Sequence, residues 1–516
     1  MTIECPVSAA ERAAPAAERM APAAWGAIGV AAILLIALLT KVVIAWVTPV
    51  TSDECFHWLQ GQHLAWGFSD HPPGTAALSR LSTAWFGNTW LGLRLVPIVG
   101  SLLCSAIAWA ILREVGADRG RAAAAAACVQ LLPMLGIGML MVPSVPHAPV
   151  VFAAEYMLLR ALRRGGVVNH IAWGALLGAA FLTYYLTAAG ALAAAVFLAI
   201  DPRGRRALRD WRLWLGALVA AAVFAPNLAW NLTQSSASAM RFQLVERNTS
   251  SFSPQYLVAF LALAVVVAGP LLLPALRGGW SALRNRLPVG PAGRERDDDW
   301  RPFFASFLLV VLALFAAISI TTRAGAHWAV LAYLNVPLLL FAPQAEPLAR
   351  GWQRAALGLG AALTAGVFVV AAVGFERIVE MLPGADGSKG VGRERFLRFH
   401  DAAMRARGIA EEAANGGQAT LLAADRWSHA SLLAFHGGGT EVAQYPPAVR
   451  HGRDFRTWSR DVTGPVELVY VTTTPDVDGA VRAASRSVQR VAVVGDAVEF
   501  AWIHRCSGFV PPPEWQ

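Results

Sequence analysis

The sequence predicts a polytopic α-helical membrane protein carrying a soluble α/β domain at its C-terminal end, and three observations lead there. Of 516 residues, 56% are hydrophobic and only 15% charged, with a mean hydropathy of +0.47, too apolar for a soluble globular chain. Apolar runs approaching the roughly 20 helical residues that cross a hydrocarbon layer recur from residue 25 to residue 375. Beyond residue 375 the runs become short, rich in β-branched residues and bounded by Gly, Pro or Asp, the pattern of strands.

Taken in order, eleven runs qualify as spans: about 25–48, 92–112, 122–142, 148–162, 170–184, 186–200, 213–231, 254–276, 302–320, 328–342 and 355–374. Several are short, and 170–200 reads either as one long helix or as a hairpin of two. Loop charge arbitrates. Arginines gather in alternate connections, among them Arg113, Arg119 and Arg121; Arg160, Arg163 and Arg164; Arg203, Arg205 and Arg206; Arg277, Arg284 and Arg286; and Arg350 and Arg354. Basic loops stay in the cytoplasm, and all of these do so only if 170–200 is a hairpin. The N-terminus is then inside and everything after residue 375 outside. Residues 1–24, rich in Ala and Pro, read as a disordered cytoplasmic tail. They are not a signal peptide, because the following apolar run is too long for one and lacks a cleavage site.

Residues 376–516 are expected to form an outer α/β domain. Its strands are Ala419–Ala424, Val466–Thr472, Val488–Val494 and Val498–Ile503, and its helices Phe396–Ala414 and Asp476–Ser487. About 140 residues can hold a core of their own.

The formal net charge of +9 does not imply a nucleic-acid partner. The arginines lie in short loops between apolar runs, where they set topology. Five cysteines (Cys5, Cys55, Cys104, Cys128 and Cys506) show no CxxC and no Cys/His cluster, which argues against structural zinc and a disulfide framework.

The outer loop after the first span, residues 49–91, concentrates the chemistry. Asp53, Glu54, His57, His63, Asp70 and His71 all fall within Thr51–Thr75. A short amphipathic helix (Cys55–Leu64), a turn, and a second helix opened by Pro72-Pro73 are expected, since proline is tolerated at a helix start. Asp70 and His71 then sit just before a helix N-terminus, where backbone N–H groups favour anions such as phosphate. Asp53 and Glu54 sit at the end of a span, where a low dielectric can raise a carboxylate towards a useful general base. The residues alone equally permit solvated loop charges that anchor a membrane helix. His57 and His63, six apart on a helix, lie on different faces and are not expected to share a metal.

Asp53-Glu54 after the first span, an aromatic-rich helix and then Asp70-His71-Pro72-Pro73 resemble the first outer loop of the GT-C membrane glycosyltransferases of family 39, the protein O-mannosyltransferase and aminoarabinose transferase group. Weaker echoes follow in order: Pro146-His147-Ala148-Pro149, Phe181–Tyr185, Pro226–Asn231 with Phe242-Gln243, His327-Trp328, and Asp425-Arg426-Trp427 with Ala430. The resemblance implies sugar transfer from a polyprenyl-phosphate carrier to an acceptor on the outer face of a bacterial inner membrane. It assigns proton abstraction to Asp53 with Glu54 beside it. It also implies substrate contacts at Asp70, His71, His147, Tyr184, Tyr185, Arg241, His327 and Trp328. No cofactor is required, and a divalent metal is left open. Partners are the donor lipid, the bilayer, and an envelope glycan, glycolipid (lipopolysaccharide or lipid A) or protein acceptor.

Two positions depart from the family pattern. His147 stands where many members carry an acid, and Tyr184 where many carry a lysine. His147 reads as a hydrogen-bonding group, a cation facing phosphate, or a cap between two prolines. Tyr184, Tyr185 and Trp328 read as substrate contacts or as interfacial aromatics. Two other classes are weighed: a flippase for a lipid-linked glycan, which predicts polar groups at mid-bilayer depth and internal repeats, and a non-catalytic scaffold. The acids are expected at the outer surface, against the flippase.

Overall fold

The computed structural model describes residues 26–136, 138–233, 252–284, 298–374, 377, 388–437, 439–447, 453–458, 462, 464–495 and 499–515. The expected tail (1–24) and Arg241-Phe242-Gln243 lie outside the described residues.

The chain opens with α1 (Ala27–Val47), the short α2 (Ser52–Gln62) and α3 (Gly74–Phe86), then α4 (Trp90–Glu114), α5 (Arg119–Leu131) and the one-turn α6 (Pro133–Gly136). It continues through α7 (Ser144–Arg164), α8 (Val167–Thr183), α9 (Thr187–Ile200), α10 (Pro202–Ala207) and α11 (Trp211–Thr233). After residue 252 come α12 (Pro254–Ala268), α13 (Leu272–Arg284), α14 (Arg301–Ile318), a 3-10 turn at Ala326–Ala329, α15 (Val330–Phe341) and α16 (Arg350–Val373). Among the described residues, five helices, α1, α4, α11, α14 and α16, are long and apolar enough to cross a membrane.

Two expected spans are not straight helices. The run 122–142 breaks after Leu131 into α5 and α6. The run 254–276 is α12 and α13, bent by 104° at Gly269, whose φ of +73° is a left-handed conformation that favours glycine. The hairpin of 170–200 is present as α8 and α9, turned at Tyr184-Tyr185. Helix α7 begins at Ser144, one turn before the expected 148, because Pro146 falls where its missing N–H costs nothing.

The interior of the bundle is more polar than expected. Lys41 of α1, fully buried, donates to Gln130 Oε1 of α5 at 2.5 Å, and Gln130 donates in turn to the Ser101 carbonyl (2.9 Å) and Ser105 Oγ (2.8 Å) of α4. Glu155 of α7 is buried and accepts from Asn335 Nδ2 of α15 at 3.0 Å. These are ionisable groups within helices read as spans, so the expectation that such groups stay at the outer surface is corrected. Each is held by a neighbouring carboxamide, the partner expected where hydrocarbon offers none.

From Ser388 the chain forms α17 (Ser388–Asn415), β1 (Thr420–Ala424), α18 (Trp427–Gly437), β2 (Val442–Gln444), α19 (Phe455–Trp458), β3 (Val466–Thr472), α20 (Gly479–Ala483), β4 (Ser487–Val494) and β5 (Ala501–Phe509). The five strands make one sheet in the order β2-β1-β3-β5-β4. β1 runs parallel to β2 and β3, with Leu422 opposite Val442 and Val469, whereas β5 is antiparallel to β3 and β4. The expected helix at 476–487 shortens to α20, because Ser487 already enters β4. The core of this unit is not wholly its own. Val50, Cys55, Phe56, Trp58 and Leu59 pack into one cluster with Phe399, Ala403, Leu433, Phe435, Phe455 and Val471. Helix α2, read as a surface helix, is therefore a buried element between the bundle and the sheet.

Candidate functional site

Helix α2 is fixed from both ends. Thr51 caps it in a reciprocal capping box: its hydroxyl accepts from the Glu54 N–H, and Glu54 Oε2 accepts from the Thr51 N–H at 3.0 Å, the arrangement that satisfies two otherwise orphaned donors. Arg94 of α4 does the rest. Its Nε and Nη2 donate to Glu54 Oε1 (2.8 Å) and Oε2 (2.7 Å), with both side chains fully buried. The same guanidinium donates to the carbonyls of Ala45 (3.1 Å), Thr48 (2.8 Å) and Pro49 (2.9 Å), which close α1. Cations satisfy the last carbonyls of a helix in this way. Glu54 Oε1 also accepts from the Met141 N–H at 3.2 Å. With both oxygens engaged, Glu54 is a buried structural anion in this geometry, not a base open to substrate. Asp53, its neighbour in the first turn, is exposed.

One turn along α2 is His57, four residues from Asp53 and thus a neighbour on the helix surface. Its ring lies 5.1 Å from His71. His71 lies 6.2 Å from Tyr184, and Tyr184 lies 5.7 Å from His147 in an edge-to-face contact. Four rings from the outer loop, the α8–α9 turn and the start of α7 thus form one chain. His71, Tyr184 and His147 were singled out in the sequence. His57, weighed there only as a metal partner for His63, joins them. The reason it was missed is geometric: its spacing to His63 speaks only about α2, while its partner arrives from the next segment. Burial, reinforced by the neighbouring imidazole of His71, lowers the His57 pKa to about 3. His57 is therefore neutral at pH 7, and its Nδ1 pairs with Gln60 Oε1 at 2.8 Å.

Helix α3 starts where the two prolines predict, with Pro73 as its N-cap. Its approach to α8 is tight. A Cβ on Gly74 would stand 2.7 Å from the Leu182 carbonyl and from Thr183 Cα, so only glycine lets the helix start sit against the turn bearing Tyr184. The loop before it is pinned at Gly67, where a Cβ would come within 2.3 Å of the Trp230 ring of α11. Asn227 Nδ2 donates to the Trp66 carbonyl at 2.6 Å, and Tyr185 Oη donates to Asn227 Oδ1 at 3.0 Å while accepting from Asn231 Nδ2 at 3.1 Å. Tyr185 is thus a brace between α11 and the outer loop.

Asp70, 4% exposed, lies beside a residue that no motif announced. Asp454, 6% exposed and just before α19, accepts from the Ser69 N–H through Oδ1 (2.8 Å) and from Ser69 Oγ through Oδ2 (3.0 Å). Gln60 Nε2 reaches Oδ2 at 3.5 Å. Burial and the charge of Asp70 raise the Asp454 carboxyl well above the usual range. A lone Asp in a stretch without strand or helix pattern carries no signal in the sequence.

His63 stacks on Trp458 at 5.0 Å, a packing role. His327 is exposed and contacts Trp328, whose ring meets Phe315 at 6.1 Å. Both lie at the 3-10 turn, outside the chain of four rings. Asp425 of the Asp-Arg-Trp motif bonds His429 Nδ1 (2.7 Å) and Thr473 Oγ1 (3.1 Å), and Trp427 packs on Phe56 at 5.2 Å. That motif docks the sheet on α2. A separate cavity of about 620 Å³ opens between Trp46, Asn88, Trp90, His400 and His436, none of them singled out in the sequence. Among the described residues, no group of three or more His, Cys, Asp or Glu is placed to hold a metal ion.

Comparison with known proteins agrees with the resemblance read in the loop. Residues 70–230 match the family model described as dolichyl-phosphate-mannose-protein mannosyltransferase, a stretch that holds Asp70, His71, His147, Tyr184 and Tyr185 but not Asp53. The chain is 24% identical over 299 residues to a lipid A galacturonosyltransferase, RgtD, of Rhizobium johnstonii, covering 56% of this chain and 59% of that protein. It is 27% identical over 266 residues to the lipopolysaccharide core galacturonosyltransferase RgtB of the same organism, covering 46% and 52%. The matches thus span little more than half the length of these curated relatives. In fold, it resembles ArnT of Cupriavidus metallidurans bound to undecaprenyl phosphate, with a TM-score of 0.59, 16% identity, and coverage of 94% of this chain and 98% of that one. The chain therefore shares the overall fold of that solved structure.

Proposed function

We propose that this protein is a membrane glycosyltransferase that moves a sugar from a polyprenyl-phosphate carrier to a hydroxyl of lipid A or another lipopolysaccharide component on the outer face of the inner membrane. The observation that carries the reading is the convergence of the His57–His71–Tyr184–His147 rings at the start of α3, on the face opposite the arginine-rich loops. Asp53 takes the proton of the acceptor hydroxyl as that oxygen bonds to the anomeric carbon. The bond from that carbon to the phosphate oxygen breaks, and the carrier phosphate leaves with the electron pair. The N–H groups at the start of α3, with His71 beside them, stabilise the charge that develops. Glu54 serves by holding Asp53 in place. Of the proposed contacts, Tyr184 and His147 belong to the ring chain, Tyr185 braces the loop, and His327, Trp328 and Arg241 remain proposals resting on the resemblance.

The names of the two curated relatives support a uronic acid as the sugar and a lipid A or core glycan as the acceptor. The test is mass spectrometry of lipid A, core glycan and envelope glycoproteins from cells with and without the gene. Loss of one uronic acid from a glycolipid is the expected result. Identical glycolipids and glycoproteins in both strains would sink the proposal.

A further inference from the structure

We infer that Asp454 is a positioning residue: with Asp70 it forms a buried carboxyl pair that carries one proton between them, and through this pair the outer unit sets the loop that leads into α3. The inference rests on the proposed reaction only for what that loop then binds.

The geometry is specific. Asp454 spends both oxygens on Ser69, one on its N–H at 2.8 Å and one on its hydroxyl at 3.0 Å, so it grips the residue immediately before Asp70. It is brought there by α19, whose Phe455 and Trp458 flank Phe56 of α2 at 6.2 and 6.1 Å. Two carboxylates removed from water beside one another cannot both ionise without a large penalty, and one retains a proton. The groups that face the pair are consistent with a single negative charge. On α2 are His57, neutral through burial, and Gln60, which donates to Asp454. On the loop is His71. Arg453, partly exposed, precedes Asp454 in the chain.

The consequence is a coupling between pH and loop order. With one proton on the pair, the Ser69 clamp and Asp70 coexist. When that proton leaves, the like charges repel, the loop loosens, and a site meant for phosphate gains an extra negative charge.

Hydrogen exchange on the full chain in nanodiscs tests this without any substrate. The Ser69 amide should be protected at pH 6 and exchange at least about tenfold faster in Asp454→Ala, a loss of the order of one charge-assisted hydrogen bond. Amides within α8 and α9 serve as the folding control. After correction for intrinsic rates, protection should fall between pH 6 and pH 9 in the wild type but not in Asp70→Asn, which removes the repulsion. Unchanged Ser69 exchange in Asp454→Ala with the α8 and α9 amides still protected, or the same pH step in Asp70→Asn as in the wild type, would overturn the inference. Binding of undecaprenyl phosphate as a probe forms the second arm. Affinity should weaken between pH 6 and pH 9 in the wild type, and that pH-dependent loss should shrink in Asp70→Asn whatever the variant's own affinity. Absence of any binding, with the exchange results as expected, would count against the proposed carrier and leave the carboxyl pair standing.

Discussion

Arg94→Met should unseat the candidate site more severely than any single change to a group that meets substrate. The guanidinium makes two bonds to Glu54 and three to the carbonyls closing α1, with no solvent access to either charged side chain. Removing it leaves Glu54 ionised and buried, at a cost of about 3–5 kcal/mol for breaking such a pair. It also leaves three carbonyls without their donor, each adding about 1 kcal/mol or more. The sum, about 6–8 kcal/mol, is a large part of the roughly 5–15 kcal/mol that holds a domain together. Thermal unfolding in detergent, read as the fraction still monodisperse after heating, should show a strong loss. The double variant Arg94→Met/Glu54→Leu should recover much of it, because replacing a buried pair by apolar groups is often close to neutral. If the double variant is no more stable than Arg94→Met, the loss does not come from a stranded carboxylate and the reasoning fails.

Three further outcomes follow from the same geometry. Asp53→Asn should abolish sugar transfer, with normal insertion and folding, since Asp53 is exposed and Glu54 carries the structural load; undiminished transfer would remove Asp53 as the base. Gly67→Ala forces a shift of the loop away from Trp230 to relieve a contact of 2.3 Å, and displacements near 1 Å cost about a hundredfold in rate; a variant with wild-type kcat would show that the loop position is not critical. His57, whose pKa drops from 6.5 to about 3 on folding, stays neutral in the folded state while the unfolded chain takes up its proton. Its contribution is therefore intact above pH 6.5 and lost as pH falls towards 3. His57→Gln should flatten the pH dependence of stability in that window, measured by unfolding midpoints from pH 7 to pH 4.

What could be read from the sequence followed the range over which each signal acts. The two helices of the outer loop, the start of α3 after Pro72-Pro73, and the hairpin at Tyr184-Tyr185 rest on local chemistry and loop charge, and all are present. Strands β1, β3 and β4 were similarly plain. The bend of α12 against α13 was not, because a hydropathy window averages over Gly269 while a single positive φ redirects the chain. Lys41 and Glu155 were hidden for a related reason. One polar residue barely changes the mean of a 20-residue run, and its partners Gln130 and Asn335 lie 89 and 180 positions away. Asp454 is the extreme case, 385 residues from Ser69 and without a motif around it.

The shared core ties the candidate site to the unit after residue 388. Trp58 of α2 meets Phe435 of α18 edge to face at 5.2 Å, while the opposite end of the same helix is clamped by Arg94 from within the bundle. Apolar burial on one side and a buried ion pair on the other leave α2 little freedom to rotate. A rotation of one residue, about 100° on a helix, would carry Asp53 away from its exposed position and His57 away from His71. The unit after residue 388 is thus half of the vice that aims α2. Weakening it at a distance, for instance with Phe435→Ala, should loosen Asp53 and His57 together. A core truncation of this size costs about 3–5 kcal/mol, and part of that cost should appear as faster hydrogen exchange along α2, with α8 and α9 unaffected. Equal protection of α2 in that variant would show that the bundle alone holds the helix.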